Sequence, residues 1–416
     1  MRNRILFILP SLPWPLLSGG HQALFNGVKA MEEIADIYMI YPLIPQFEKE
    51  GYHEELKSKI KNIKEIFPYV ENKKAWSKRK IAKRICHRII SSFIKPTPYE
   101  VFETGVTGTG LSGHSEDYYL FIRDIISRYD ITIVQVEMLA NIDAVIAIPD
   151  HVKKIFVHHE LGFVRNHLLL EQQLHGEYSG LLLYSLEKTK EIGLLNQYDA
   201  VVSLSPIDKN KMIEAGVKSP IFPSFAVVNT TTTQHPFYEK TGKILSFVGP
   251  EYHTPNKLGM EWFLKNVWVN LKKNSPEYKL NIIGVWTKQT IARWTSEFPD
   301  VCFLGFVEDL AEVLSNSVMI VPIFVGSGIR MKILEAMSIG IPYVSTEVGA
   351  EGIPVTDGVD CVIANTSNEF VTGIHKLENI DTRKMMVENG RRLLLSSYSF
   401  EKFKSDRMTI VKSLIE

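Results

Sequence analysis

GSGIRMKILEAM, residues 326–337, is the stretch on which the reading of this chain turns. It follows SVMIVP at 317–322, an apolar run with the length and β-branched content of a buried strand. Strand, glycine turn and helix in that order make a βα junction. Gly326 and Gly328 let backbone N–H groups approach a ligand with no Cβ in the way. The helix expected from about Ile329 offers unpaired N–H donors and the positive end of a dipole, a site suited to a phosphate. Arg330 and Lys332 add positive charge beside it, and Glu335, three residues beyond Lys332, shares its helix face. A carboxylate there suits the two hydroxyls of a ribose. Taken alone, such a Gly-x-Gly turn is more often a plain junction with surface charges, so its surroundings decide.

Outward from this point, short β-rich runs alternate with longer helical patterns, as in α/β proteins with parallel sheets. The pattern predicts strands at 4–9, 36–41, 131–136, 153–158 and 199–204 in the first half. In the second half it predicts them at 243–248, 279–284, 301–304, 317–322, 341–345 and 360–363. Between the two sets, SPIFPSFAVVNTTTTQHPFYEKTG at 219–242 is rich in Pro and Thr and reads as an interdomain connection. The expectation is two Rossmann-like domains, 1–235 and 236–395. Ligands of such sheets bind at the carboxyl ends of the strands, so two facing domains place a cleft between those ends. The tail 396–416 carries a roughly helical apolar stripe.

Bulk properties narrow the class. A chain of 416 residues suffices for two domains. Lys plus Arg and Asp plus Glu both number 47, which argues against a dedicated nucleic-acid binder. Cys86, Cys302 and Cys361 have neither disulfide nor zinc spacing and point to a reducing compartment. The opening MRNRILFILPSLPWP is broken by Pro10, Pro13 and Pro15 and lacks a small-residue cleavage site, so Ile5–Leu9 reads as a buried first strand rather than a signal peptide. No apolar run reaches the roughly 18 residues of a membrane span. These signs place the protein in the cytoplasm. One segment, 73–95, is dense in Lys and Arg with Ile81, Ile85, Ile89 and Phe93 every fourth residue. It reads either as a helix on an anionic membrane, at the inner face, or as a solvated helix packed on its own domain.

The wider stretch GSGIRMKILEAMSIGIPYVSTEVGAEGI, 326–353, resembles the nucleotide-sugar-binding motif of family 4 (group 1) glycosyltransferases, enzymes of the GT-B fold. The resemblance implies a diphosphate held by Gly326, Ser327, Gly328 and Ile329, and a ribose held by Glu335. Many members carry a second glutamate eight residues earlier, where Ser327 stands here. Upstream, SFVGPEYHTPNKLGM at 246–260 resembles the first strand and helix of the donor domain. Gly249 makes its turn, and Asn256 and Lys257 fall where members contact the donor phosphates. Many members place an arginine directly after that glycine. Pro250 stands there instead, which leaves Arg330 to supply the charge. FLGFVEDLAEVL, 303–314, resembles the turn that meets the nucleobase, around Phe306 and Val307.

In the first half the likeness is looser. SLPWPLLSGGHQALF, 11–25, resembles the family's first loop, with Gly19 and Gly20 facing the diphosphate and the transferred sugar. HHELGFVR, 158–165, resembles the strand end that often carries a histidine beside the sugar. His159 with Glu160 is the stronger candidate and His158 the alternative. The resemblance also implies that the C-terminal helix returns to the N-terminal domain.

The function implied by the resemblance is that of a nucleotide-sugar-dependent hexosyltransferase, retaining and metal-free, with a UDP- or GDP-sugar as substrate and no cofactor. No Asp-x-Asp occurs at a loop suited to a sugar-nucleotide metal. Lys257, Arg330 and Lys332 would stabilise the departing diphosphate, and His159 would position the sugar. The acceptor would be a saccharide, a lipid-linked sugar or a protein glycan. The rival readings are a nucleotide-sugar epimerase of the same fold and a non-catalytic GT-B scaffold subunit.

Overall fold

The computed structural model describes residues 2–44, 49–70, 113–173, 178–228, 243–298 and 300–415. The basic segment 73–95 and Cys86 lie outside the described residues. The chain divides into two compact units. The first joins Met1–Ser203, Lys209–Pro223 and Asp406–Glu416; the second joins Leu204–Asp208 and Ser224–Ser405. Among the described residues no helix is long and apolar enough to cross a membrane.

The first unit is built on a seven-stranded parallel sheet. Its strands are β1 (Asn3–Ile8), β2 (Ala35–Pro42), β3 (Ile63–Tyr69), β4 (Ile133–Glu137), β5 (Lys153–His158), β6 (Ala200–Ser203) and β7 (Ile221–Pro223), in the order β3-β2-β1-β4-β5-β6-β7. β1 is central: Ile5 lies opposite Ile37 of β2 on one side and Ile133 of β4 on the other. Strands covered on both faces read as continuous apolar runs rather than alternating ones. Ile5, Leu6, Phe7, Ile8 and Leu9 are accordingly fully buried. The helix Glu116–Arg128 begins where Ser115 accepts a hydrogen bond from the Tyr118 amide. Glu116 and Asp117 complement the dipole in its first turn.

The second unit repeats the plan with six parallel strands: β8 (Ile244–Val248), β9 (Lys279–Ile283), β10 (Val301–Gly305), β11 (Ser317–Val321), β12 (Tyr343–Ser345) and β13 (Val362–Ile363). Their order is β10-β9-β8-β11-β12-β13. All six follow the sequence pattern. In the first unit the pattern misses β3 and β7. Only Ile66 of β3 is buried, because the strand lies at the sheet edge and keeps polar residues and Pro68. β7 is a three-residue edge strand inside the stretch read as a connection.

In each sheet the strand order reverses once, between β1 and β4 and between β8 and β11. The loops that leave these strands diverge and open a crevice at their carboxyl ends. In the second unit the crevice is set by a close approach. A Cβ on Gly259, in the helix Thr254–Phe263, would stand 2.1 Å from the carbonyl oxygen of Pro322, just beyond β11. That backbone atom cannot swing aside as a side chain would. Gly259→Ala should therefore cost about 1–3 kcal/mol by overpacking. Chemical denaturation checks this; unchanged stability would show that the helix can shift freely from β11.

Candidate functional site

In the second unit the chemistry-bearing residues gather on the loops after β8 and β11. β8 leads through Gly249, Pro250 and Glu251 into the helix Thr254–Phe263, with a proline in its first turn. Proline is favoured there because its missing N–H would have no helical partner. β11 leads through 322–330 into the helix Met331–Ile339, whose N-cap Arg330 makes no side-chain capping bond. The turn before it depends on glycine: Gly326 has φ 133° and Gly328 φ 74°, both in the region that side chains avoid.

Lys332 joins the two loops. Its Nζ donates to Oδ1 of Asn256 at 2.9 Å and lies 4.2 Å from the centre of the Phe247 ring on β8. Asn256 is buried, and its Nδ2 donates to the carbonyl of Pro250 at 3.0 Å. This amide therefore ties the glycine turn of β8 to the helix after β11. Burial pushes the Lys332 ammonium down to about 7; the like charge of Arg330 adds to that shift and Glu335 opposes it. Lys332 and Glu335, both partly buried, thus share one electrostatic environment, as their spacing predicts.

Arg330 is the N-cap of the helix Met331–Ile339. It is buried, and its Nη1 donates to the carbonyls of Ser327 and Gly328, the latter at 3.1 Å. Its guanidinium thus braces the glycine turn. Ser327 and Ile329 are buried in that turn. Phe306 and Val307 follow the edge strand β10, Phe306 about half exposed and Val307 partly buried.

Sequence reasoning missed Glu251. Its carboxylate accepts from the Thr287 amide and the Thr290 hydroxyl, each at 2.7 Å, and sits 3.1 Å from Nζ of Lys257. Burial alone would raise its pKa. The Thr287 and Thr290 hydrogen bonds and Lys257 overcome that and bring it to about 2. Glu251 thereby anchors the start of the helix Lys288–Glu297 and holds Lys257 at the same loop. No signal in the sequence links Glu251 to Thr287 and Thr290, which lie on the loop and helix after β9.

In the first unit, Gly19 and Gly20 open the helix Gly19–Lys29, capped by Ser18, whose Oγ accepts from the His21 amide. A Cβ on Gly20 would lie 3.4 Å from Cε of Met138, at the end of β4. His159 follows β5, and its Nε2 lies 2.6 Å from Oε2 of Glu137, the last residue of β4. The Glu160 carboxylate accepts from Nη1 of Arg165 at 2.6 Å. His158, the alternative, is buried, with Nε2 2.8 Å from Oε1 of Glu191. Gly20 and His159 thus gather around Glu137 and Met138, which the sequence pattern does not single out.

A separate cavity of about 130 Å³ in this unit is lined by His114, Asp143, Asn166, Glu187 and Glu191, among others. Asp143 accepts from Tyr119 Oη at 2.7 Å and from the His114 amide at 2.7 Å. Against the upward push of burial, bonds from His114 and Tyr119 hold its pKa at about 2. Burial raises that of Glu187.

Residues 242–379 match the family model for glycosyl transferases group 1. A curated protein of Klebsiella pneumoniae, described as an uncharacterized 44.6 kDa protein in the cps region, is 28% identical over 165 residues. That match takes in 38% of this chain and 42% of the relative's length. Among solved structures, a mutant of S. aureus TarM, crystallised with UDP, alpha-GlcNAc-glycerol and Fondaparinux, aligns with a TM-score of 0.68 at 13% identity, over 98% of this chain and 99% of its own. Sucrose-phosphate synthase from Thermosynechococcus elongatus aligns with a TM-score of 0.69 at 14% identity, over 100% and 99%. At these identities the likeness shows the fold, which is GT-B.

The Glu251 contacts give a pH signature. A carboxyl group held below its ordinary value of 4.5 in the folded chain stabilises fully above that value and loses its contribution as pH falls towards about 2. Glu251→Gln should destabilise the second unit by on the order of 1 kcal/mol near neutrality. The deficit should shrink between pH 4.5 and 2. Thermal melts of both proteins across that range test it, and a deficit independent of pH would contradict it.

Proposed function

We propose, for a chain whose residues 242–379 match the group 1 glycosyltransferases, that it transfers a hexosyl group from a nucleotide sugar to a glycan, lipid-linked or protein-glycan acceptor. The observation that carries this reading is the meeting of Lys332 and Asn256, 2.9 Å apart, at the strand-order reversal of the second unit. A helix start without a side-chain cap, a glycine turn and a carboxylate one helical turn on from Lys332 stand at the same place. The first two suit a diphosphate and the third a ribose. A mutant of S. aureus TarM, of the same fold, has been crystallised with UDP.

In this reading the diphosphate lies against the 326–330 turn and the start of the helix Met331–Ile339. Lys332 carries the charge that meets it, and Lys257, whose ammonium is also engaged by Glu251, adds a second. Arg330 acts through the turn it braces. Glu335 accepts from the ribose hydroxyls, and Phe306 and Val307 meet the base. As the bond from the sugar's anomeric carbon to the diphosphate breaks, negative charge gathers on the leaving oxygen, where Lys332 stabilises it. The acceptor oxygen bonds to the anomeric carbon on the same face, and the departing phosphate oxygen takes its proton. Configuration is retained with no metal required. Gly19, Gly20 and His159 are assigned to the transferred sugar.

Two experiments test this. UDP- and GDP-sugars should raise the melting temperature, and one of them should be turned over. Lys332→Ala and Glu335→Ala should each lower turnover, the former by on the order of 10²–10³. Near-normal turnover and donor affinity in both variants, or no binding of any nucleotide sugar, would overturn the proposal.

The Lys332 ammonium adds a second signature. Held near 7, it is largely uncharged at pH 8 in the free protein. A diphosphate favours the charged form, so binding at pH 8 should take up close to one proton. Calorimetry of UDP binding in two buffers of different ionisation enthalpy measures it. Equal uptake in Lys332→Met would assign the proton elsewhere.

A further inference from the structure

The first unit holds two adjacent histidine–glutamate pairs that differ in one respect. His158 is sealed: its side chain is wholly buried, and Glu191 also accepts the amides of Gly162 at 3.1 Å and Phe163 at 2.8 Å. That pair fixes the start of the helix Gly162–Gln173. The ring of His159 is 14% exposed, and the carboxylate behind it is 3% exposed. One pair serves the fold; the other has a face open to solvent.

Glu137 is itself held on several sides. Oε1 accepts from Nε2 of Gln135 at 2.6 Å, and its backbone carbonyl accepts from Nδ2 of Asn141 at 3.1 Å. A Cβ on Gly27 would stand 3.4 Å from Oε1, so the helix Gly19–Lys29 closes a further side. Arg407, a buried residue of the C-terminal stretch, has its cationic form penalised by burial and favoured by the charge of Glu137. Next in the chain, Met138 has φ 66° and ψ 149°, a combination that residues with a side chain avoid. Its amide is tied to the Val157 carbonyl at 3.2 Å. Strain of this kind persists only where the surroundings over-determine it, and it gathers at working sites.

We infer that Glu137 is a positioning residue: it fixes the ring orientation and tautomer of His159, so that Nδ1 is presented as a hydrogen-bond acceptor for a sugar hydroxyl. A carboxylate has no proton to give, so Nε2 of His159 bears the hydrogen of the 2.6 Å bond. In the neutral ring Nδ1 then carries the lone pair. Gln135 turns the carboxylate, the carboxylate turns the ring, and the ring offers one acceptor atom at the strand-order reversal. The inference rests on the reading of the chain as a glycosyltransferase for what the ring meets, and on the geometry alone for the tautomer.

The test uses the full chain with ¹⁵N-labelled histidine, the His159 signals being assigned by their loss in His159→Ala. The wild-type ring should show the Nε2–H tautomer, and Glu137→Gln should give a mixture. With the UDP- or GDP-sugar that the protein turns over, Glu137→Gln should lower kcat by about 10–100-fold, with the donor KM within about twofold. Glu137→Asp, which keeps the charge on a shorter arm, should recover part of kcat and also serves if the glutamine variant fails to fold. An Nδ1–H tautomer in the wild type would overturn the inference. So would a glutamine variant with unchanged tautomer and kcat, or one that alters only KM. Failure of every nucleotide sugar to bind would sink the functional reading, while the tautomer measurement would still decide the role of Glu137.

Discussion

A lysine ammonium inside a protein is costly unless something nearby receives its hydrogen bonds. In the second unit Oδ1 of Asn256 does so, at 2.9 Å. The two residues belong to loops that leave different strands, and the amide's other end holds the carbonyl of Pro250. The glycine turn after β8 and the helix after β11 are therefore placed by one bond pair, and the crevice between them inherits its shape from it. The close approach of Gly259 to Pro322 sets the helix Thr254–Phe263 against the start of the loop after β11. The position of the cations on these loops depends on those constraints as much as on the cations themselves.

The two sheets share a topology and use it in different ways. In the second unit the reversal point collects cations, a glycine turn and a helix start. In the first it collects a carboxylate, an imidazole and a strained methionine. A common backbone plan fixes where a ligand can lie, and the residues at the strand ends decide what kind of chemistry meets it.

Much of the fold was legible because buried parallel strands announce themselves as apolar runs, as β8, β11 and β12 of the second sheet do. β3 and β7 were not legible, since edge strands need neither a continuous apolar run nor full length. In the site, Lys332 and Glu335 could be paired from helical spacing, and the glycine turn from its composition. Glu251 and Glu137 could not. Each is defined by partners that the sheet brings from elsewhere in the chain: Thr287 and Thr290 in one case, His159 in the other. Arg330 illustrates the converse. Its position suggested charge for a diphosphate, and the bonds of its guanidinium to the carbonyls of Ser327 and Gly328 could not be read from that position. A local pattern reports which groups are present and leaves their direction to packing.

The membership of Asp406–Glu416 in the first unit bears on how the protein is made. Arg407 supplies the cation near Glu137, yet it leaves the ribosome only after both sheets have been synthesised. A nascent chain can close the seven-stranded sheet early, but the surroundings of its histidine–carboxylate pair stay incomplete until translation reaches Arg407. The fold therefore couples assembly of that pair to synthesis of the entire second unit.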